Sequence, residues 1–198
     1  MDIFTEPTPA ADTLANLGPL RPLAGTWSGT GIDTHPTRTG PEDNAYVERI
    51  VLEPIDAQTN GPQLFYGLRY HVHITKPGES QTFHDQVGYW LWEPATSGLL
   101  LTLAIPRGQV ALAAGHAAAD ARSFTVEAPR SAIVSNPFLE RAFRTERFAM
   151  TITVHNDGSW SYKQDTHLAV LGGDQRFHHT DRNVLTRVAP PTPNPMAR

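Results

Sequence analysis

Ten extended segments follow one another along this chain with almost nothing helical between them, and that succession restricts the fold more than any other feature. They cover 26–34, 46–54, 63–75, 81–93, 98–105, 109–116, 123–128, 147–154, 160–171 and 176–188. Each is rich in Val, Ile, Thr and aromatic residues, and turn-forming stretches such as NGP, KPGE, ATSG, PRG, NDGS and LGGD separate them. HNDGSW at 155–160 is the strongest hairpin signal, because Asp-Gly tolerates the positive φ of a tight turn. Sequential strands of this kind predict an all-β, antiparallel, up-and-down closed barrel of about eight to ten strands, since closure removes the long edges that would otherwise lie open.

Helix is expected in one or two short pieces. ADTLANLGPL predicts a brief turn capped by Asp12 or Thr13 and ending at Gly18 and Pro19. NPFLERAFRTERF predicts a helix starting at Asn136, with Pro137 at its first position; a strand reading competes for its second half. A single domain is expected over 12–189, between a flexible tail at 1–11 and a Pro-rich tail at 190–198.

Composition excludes several function classes. Sixteen Lys and Arg face twenty Asp and Glu for a formal net charge of −4, without the basic clustering that nucleic acid or anionic membrane requires. The chain has no cysteine, which rules out thiolate chemistry and Cys-held metal. No apolar run approaches the roughly 20 residues of a membrane span, and the first twenty residues lack the basic-then-apolar pattern of a signal peptide. A cytoplasmic protein acting on a small molecule is expected, with strands long enough to permit a homodimer.

The candidate residues fall in four places. In GTWSGTG, Gly25, Gly29 and Gly31 alternate with Trp27; they either bend the strand so that Trp27 plugs the barrel base, or let a flat ligand lie against bare backbone. In RYHVHITKPGE, His71 and His73 share one face and are read as solvent-facing or rim residues, since no second metal motif accompanies them. In FHDQVGYWLWEP, His84 and Asp85 point to opposite faces, and without a Ser in an elbow-like turn they make no hydrolytic triad, so no catalytic residue is assigned. In FHHTDRNVLTR, His179, Asp181, Asn183 and Leu185 share one face, with His178 on the other. A neutral imidazole there is a suitable metal ligand, while the polar residues beside it require either a register shift after His179 or a wetter cavity. Arg69, Arg144 and Arg182, with Tyr66 and Tyr70, are candidates for holding a carboxylate.

Five motifs carry a resemblance. GTWSGTG fits a GxWxGxG signature; THPT resembles Tyr-Pro-Thr with His35 in place of Tyr; HDQVGYWLWEP, LTLAIPRGQVALAAG and GGDQRFHHTDRNVLTR follow in order. In this order they resemble the nitrobindins, haem-binding β-barrels related in shape to lipocalins and fatty-acid-binding proteins, over about residues 17–188. The resemblance implies haem b in the barrel mouth, its iron held by a histidine of the last hairpin. Counted from the turn residue Gly173 that histidine is His179; counted back from Leu185 and Arg187 it lies one residue away, which would need a bulge in the strand. Thr37 is expected at the cofactor, with Phe138 and Leu139 as wall residues. The implied function is a reaction of ferric haem with nitric oxide or peroxynitrite, including an isomerase activity. The alternative is a haem-free carrier or sensor of a small apolar or carboxylate ligand, bound through Arg69, Tyr70, Asp181 and Asn183.

Overall fold

Alternation of apolar and polar residues along the strands gives each one a face to bury and a face to leave in water, and a closed sheet is how the chain satisfies both. The computed structural model describes residues 2–171 and 175–192. Gly173, from which the ligand position is counted above, and residues 193–198 of the Pro-rich tail lie outside the described residues. The strands are β1 (Gly25–Thr37), β2 (Gly40–Pro54), β3 (Gln58–Asn60), β4 (Gln63–Thr75), β5 (Thr82–Glu93), β6 (Gly98–Ile105), β7 (Gln109–His116), β8 (Ser123–Pro129), β9 (Ile133–Ser135), β10 (Phe143–Val154), β11 (Trp160–Val170) and β12 (Gln175–Ala189). The sheet order is β2-β1-β12-β11-β10-β8-β7-β6-β5-β4, and β2 pairs with β4 to seal the cylinder. The short strands β3 and β9 add to β4 and β7 without joining the ring.

The sheet reaches beyond the apolar pattern in places. β2 starts at Gly40, six residues before the expected Tyr46, because backbone pairing with β1 continues through His35↔Glu42 and Thr37↔Gly40. That stretch has no apolar face to announce it. β10 starts at Phe143, directly after α1 (Pro137–Ala142), the one α-helix among the described residues, so both readings of that segment hold, one for each half. β3 and β9 are three residues each, too short to show any period.

One end is closed by the N-terminal segment. Leu17, Leu20 and Leu23, carried by 3₁₀ turns at Leu14–Asn16 and Gly18–Leu23, are fully buried beneath Trp27 and Trp92. The expected stop at Gly18 and Pro19 is corrected here. Pro19 occupies the first turn of a second 3₁₀ segment, where its missing N–H is not needed. Asp12 supplies the local cap, its Oδ1 accepting from the Ala15 N–H at 2.9 Å. Ahead of it, residues 5–10 have no regular secondary structure, yet Ala10 N–H donates to Tyr66 Oη at 2.9 Å and the Thr59 hydroxyl donates to Glu6 at 2.7 Å.

The other end is open, and α1 stands at its lip. Asn136 caps it as expected: its Oδ1 accepts from the N–H groups of Phe138 (2.8 Å) and Leu139 (3.1 Å). Asn136→Ala is expected to lower unfolding free energy by about 1 kcal/mol, read as a shift of the urea midpoint at unchanged slope. Among the described residues no helix is long and apolar enough to cross a membrane.

Candidate functional site

The interior is layered from the closed end to the mouth, because inward residues of neighbouring strands meet at matching heights. At the floor, Trp27 is fully buried, its indole N–H donating to the Leu23 carbonyl at 2.7 Å, with Trp160 edge-on at 5.9 Å between centroids. This is the plug expected from GTWSGTG. The alternate glycines have a second use. A Cβ on Gly31 would lie 2.3 Å from Tyr46 Cζ, so the flat group resting against bare backbone is the protein's own tyrosine ring.

Above the floor lies a buried acid with two hydrogen bonds on one of its oxygens. Glu48 is 2 % exposed and its Oε2 accepts from Tyr162 Oη at 2.8 Å and from Asn183 Nδ2 at 2.7 Å; Tyr46 and Tyr162 hydroxyls are 2.7 Å apart. Burial is the main reason that the Glu48 pKa stands at about 7; the two hydrogen bonds pull it back only partly. Burial and the nearby Glu48 charge likewise hold both tyrosines well above the ordinary phenol.

The next layer carries the predicted histidine. His179 faces inward on β12 and His178 outward, where it meets Asp165 at 2.8 Å and the His167 ring at 4.9 Å. His179 Nδ1 is hydrogen-bonded to the Thr34 carbonyl, and Nε2 lies 3.0 Å from Asp181 Oδ2, which also accepts from Gln164 Nε2 at 2.7 Å. Asp33 on β1 stands directly across from Asp181. Burial raises the Asp33 pKa, and the negative charge of Asp181 adds to it. For His179 burial works against the imidazolium, but the hydrogen bond and charge of Asp181, the Thr34 carbonyl and the charge of Asp33 outweigh it, and its pKa lies above the ordinary value.

The register shift considered after His179 is absent. β11 and β12 pair without interruption from Trp160↔Leu185 to Val170↔Gln175, and the irregularity of β12 lies at its far end, opposite Thr26 and Trp27. The polar face is therefore real, and the cavity is polar on that side. Two adjoining lobes of about 350 Å³ and about 360 Å³ share His35, His84, Gln86, Arg107, Gln164 and His179. The first runs to an apolar wall that includes Leu103, Ile105, Ile133, Leu139, Phe143 and Phe148; the second descends to Asp33, Asp181 and Glu48. At the mouth an Arg107 guanidinium nitrogen is 3.0 Å from His84 Nδ1, and burial together with that guanidinium holds the His84 pKa below the ordinary imidazole.

The remaining candidates sit elsewhere. Thr37 closes the β1–β2 turn, its hydroxyl donating to the Gly40 carbonyl at 2.7 Å, and is not among the residues lining the two lobes. Phe138 is exposed, whereas Leu139 lines the apolar lobe. Arg69 lies outside the barrel and pairs with Glu53 at 2.7 Å; Arg144 pairs with Glu146 at 2.6 Å, and Arg182 is exposed. Tyr70 is buried, but its hydroxyl donates to the Thr102 carbonyl at 3.0 Å and accepts from Gln86 at 2.7 Å. His71 and His73 face solvent, bonded to Asp85 and Thr82. Asp33, Glu48, Tyr162 and Arg107 escaped the sequence reading. For Glu48 a signal exists, an acid at an inward position between Tyr46 and Ile50; for Asp33 it does not, since its importance depends on which residue stands opposite.

A family model described as THAP4-like, heme-binding beta-barrel domain matches residues 16–187. The chain belongs to this family. The membership agrees with the resemblance carried by the five ordered motifs. Among solved structures the barrel is similar to that of Rv2717c from M. tuberculosis, with a TM-score of 0.63 and 22% identity, covering 88% of this chain and 96% of that one. That likeness is one of fold. No curated protein matches the chain.

Proposed function

We propose that this member of the THAP4-like family holds haem b in the barrel mouth through His179, and that the bound group meets nitric oxide or peroxynitrite. One observation carries the reading: an inward imidazole whose Nδ1 is tied to a backbone carbonyl stands at the side of a cavity with an apolar opposite wall. A metal-binding histidine is oriented in this way, one nitrogen on a carbonyl and the other left for the metal. The other needs of haem are met as well. Leu103, Ile105, Phe143 and Phe148 offer apolar surface for a porphyrin, and Arg107 offers a cation for propionates at the rim. The residues fit the group, on the condition that Asp181 releases Nε2.

When bound, haem would supply ferric Lewis-acid chemistry toward nitric oxide or peroxynitrite. The chain's part is to orient His179 through Thr34, to exclude water with the apolar wall, and to hold the rim through Arg107 and His84. Asp181 competes for Nε2, so this protein is expected to bind haem less tightly than a barrel with an apolar residue there. An isomerase activity toward peroxynitrite belongs to the same proposal.

A second reading, a haem-free carrier, draws on that same hydrogen bond between His179 and Asp181. Arg69 lies outside and the Tyr70 hydroxyl is engaged, which leaves Arg107 to hold a carboxylate head. Titration of purified protein with hemin separates the two. The haem reading expects a sharp Soret band at one equivalent, lost in His179→Ala and kept in His178→Ala. Absence of the band, with displacement of a fluorescent fatty acid, would establish the carrier instead.

A further inference from the structure

We infer that Asp33, His179 and Asp181 form a site for a bare divalent transition-metal cation such as Mn²⁺, separate in kind from haem binding and not dependent on it. Each residue offers a ligand atom, and these atoms all lie within 4.8 Å of one another. Donors about 2.1 Å from a cation stand about 3.0 Å apart at right angles and about 4.2 Å apart in line. The 3.0 Å between His179 Nε2 and Asp181 Oδ2, a hydrogen-bond length in the protein without metal, also equals the edge that two ligand atoms would span on such a cation.

Two independent features point to a missing positive charge. Asp33 is 5 % exposed and lines the polar lobe, yet its Oδ1 has no hydrogen-bond partner. A buried carboxylate oxygen without a donor is strongly unfavourable. Asp33 and Asp181 are also directly opposite one another on antiparallel strands, an arrangement in which like charges repel. His35 Nδ1 is 3.7 Å from Asp33 Oδ2, beyond hydrogen-bond reach. A cation seated between the two strands supplies the partner that Asp33 Oδ1 lacks and offsets the repulsion between the two carboxylates.

The donor set defines the ligand class. One imidazole with two carboxylates suits Mn²⁺, Fe²⁺ or Zn²⁺, and three protein donors leave coordination positions open toward the cavity. Such a site accepts water or a small anionic or chelating ligand from the mouth. His179 Nε2 has one lone pair, so this cation and haem iron exclude each other.

The test uses the full-length, metal-stripped, haem-free protein titrated with Mn²⁺ and followed by loss of the aqueous Mn²⁺ EPR signal. One equivalent should bind. Asp33→Asn and Asp181→Asn should each weaken binding at least about tenfold, while His71→Ala and His178→Ala, which remove the exposed histidine–carboxylate pairs, should bind as wild type. In wild-type protein with ¹⁵N-labelled histidine, Mn²⁺ should broaden the His179 ring signals first, a readout independent of how the variants fold. Broadening confined to His71 or His178, or unchanged affinity in a folded Asp33→Asn protein, would overturn the site. A Soret band with hemin and no Mn²⁺ uptake also overturns it and leaves the haem reading intact. Mn²⁺ uptake without a Soret band supports the cation site and removes the haem reading.

Discussion

Trp27→Ala is expected to lower the unfolding free energy by about 3–5 kcal/mol. Trp27 is fully buried and sits where the strands, the N-terminal 3₁₀ turns and β12 converge. Its removal opens a cavity that rigid neighbours cannot fill. It also strips the Leu23 carbonyl of the indole donor 2.7 Å away, removes the edge-on ring contact with Trp160, and leaves the Arg187 guanidinium, 4.1 Å from the ring centroid, without its aromatic partner. A domain of this size has about 5–15 kcal/mol in total, so the variant should melt far earlier in urea. A loss below about 1 kcal/mol would show that the floor repacks and that the plug is dispensable.

The second large effect is a pH dependence centred on Glu48. Its pKa is about 7 in the folded chain against an ordinary 4.5, chiefly through burial. Between those two values the folded state keeps a proton that the unfolded state has released. Unfolding therefore releases a proton, and stability falls as pH rises through the window, then levels off above about 7. The displacement corresponds to about 3 kcal/mol. Glu48→Gln stays neutral at every pH, and its amide oxygen can accept from Tyr162 and Asn183. The variant should match wild type near pH 4 and exceed it by about 3 kcal/mol at pH 8. Urea titrations of both proteins across that range decide the matter, since their difference isolates this one group. A difference that does not change with pH would mean that Glu48 ionises normally and that the interior is wetter around it than its burial implies.

The two residues share a lesson about where barrels tolerate polarity. Glu48, with its pKa raised to about 7 and one oxygen hydrogen-bonded by Tyr162 and Asn183, sits between the Trp27 floor and the cavity at moderate expense. Asp33 differs in being buried opposite Asp181 with its Oδ1 unmatched. A polar group with its partners made is architecture; one that lacks a partner on a cavity wall marks a place for a ligand.

Much of this was legible beforehand. Strands β4, β6 and β7 run between the expected residues, because their ends coincide with turn residues and their faces alternate cleanly. His179 and Asp181 share the inward face for the same local reason. The three-residue strands were not visible, because a period of two cannot be recognised in so few positions. Thr37, expected at the cofactor, has its hydroxyl donating to the Gly40 carbonyl in the β1–β2 turn.

What the sequence by itself determined was the number of long strands, the face each side chain takes, the tryptophan plug and the Asn136 cap. All of these follow from interactions among residues close in the chain. Only the tertiary structure decided that β2 meets β4, that Asp33 faces Asp181 across 148 positions of chain, and that Tyr162 reaches Glu48. Those pairings depend on cross-strand register, which turn geometry and closure of the whole ring set together, and no local pattern encodes them.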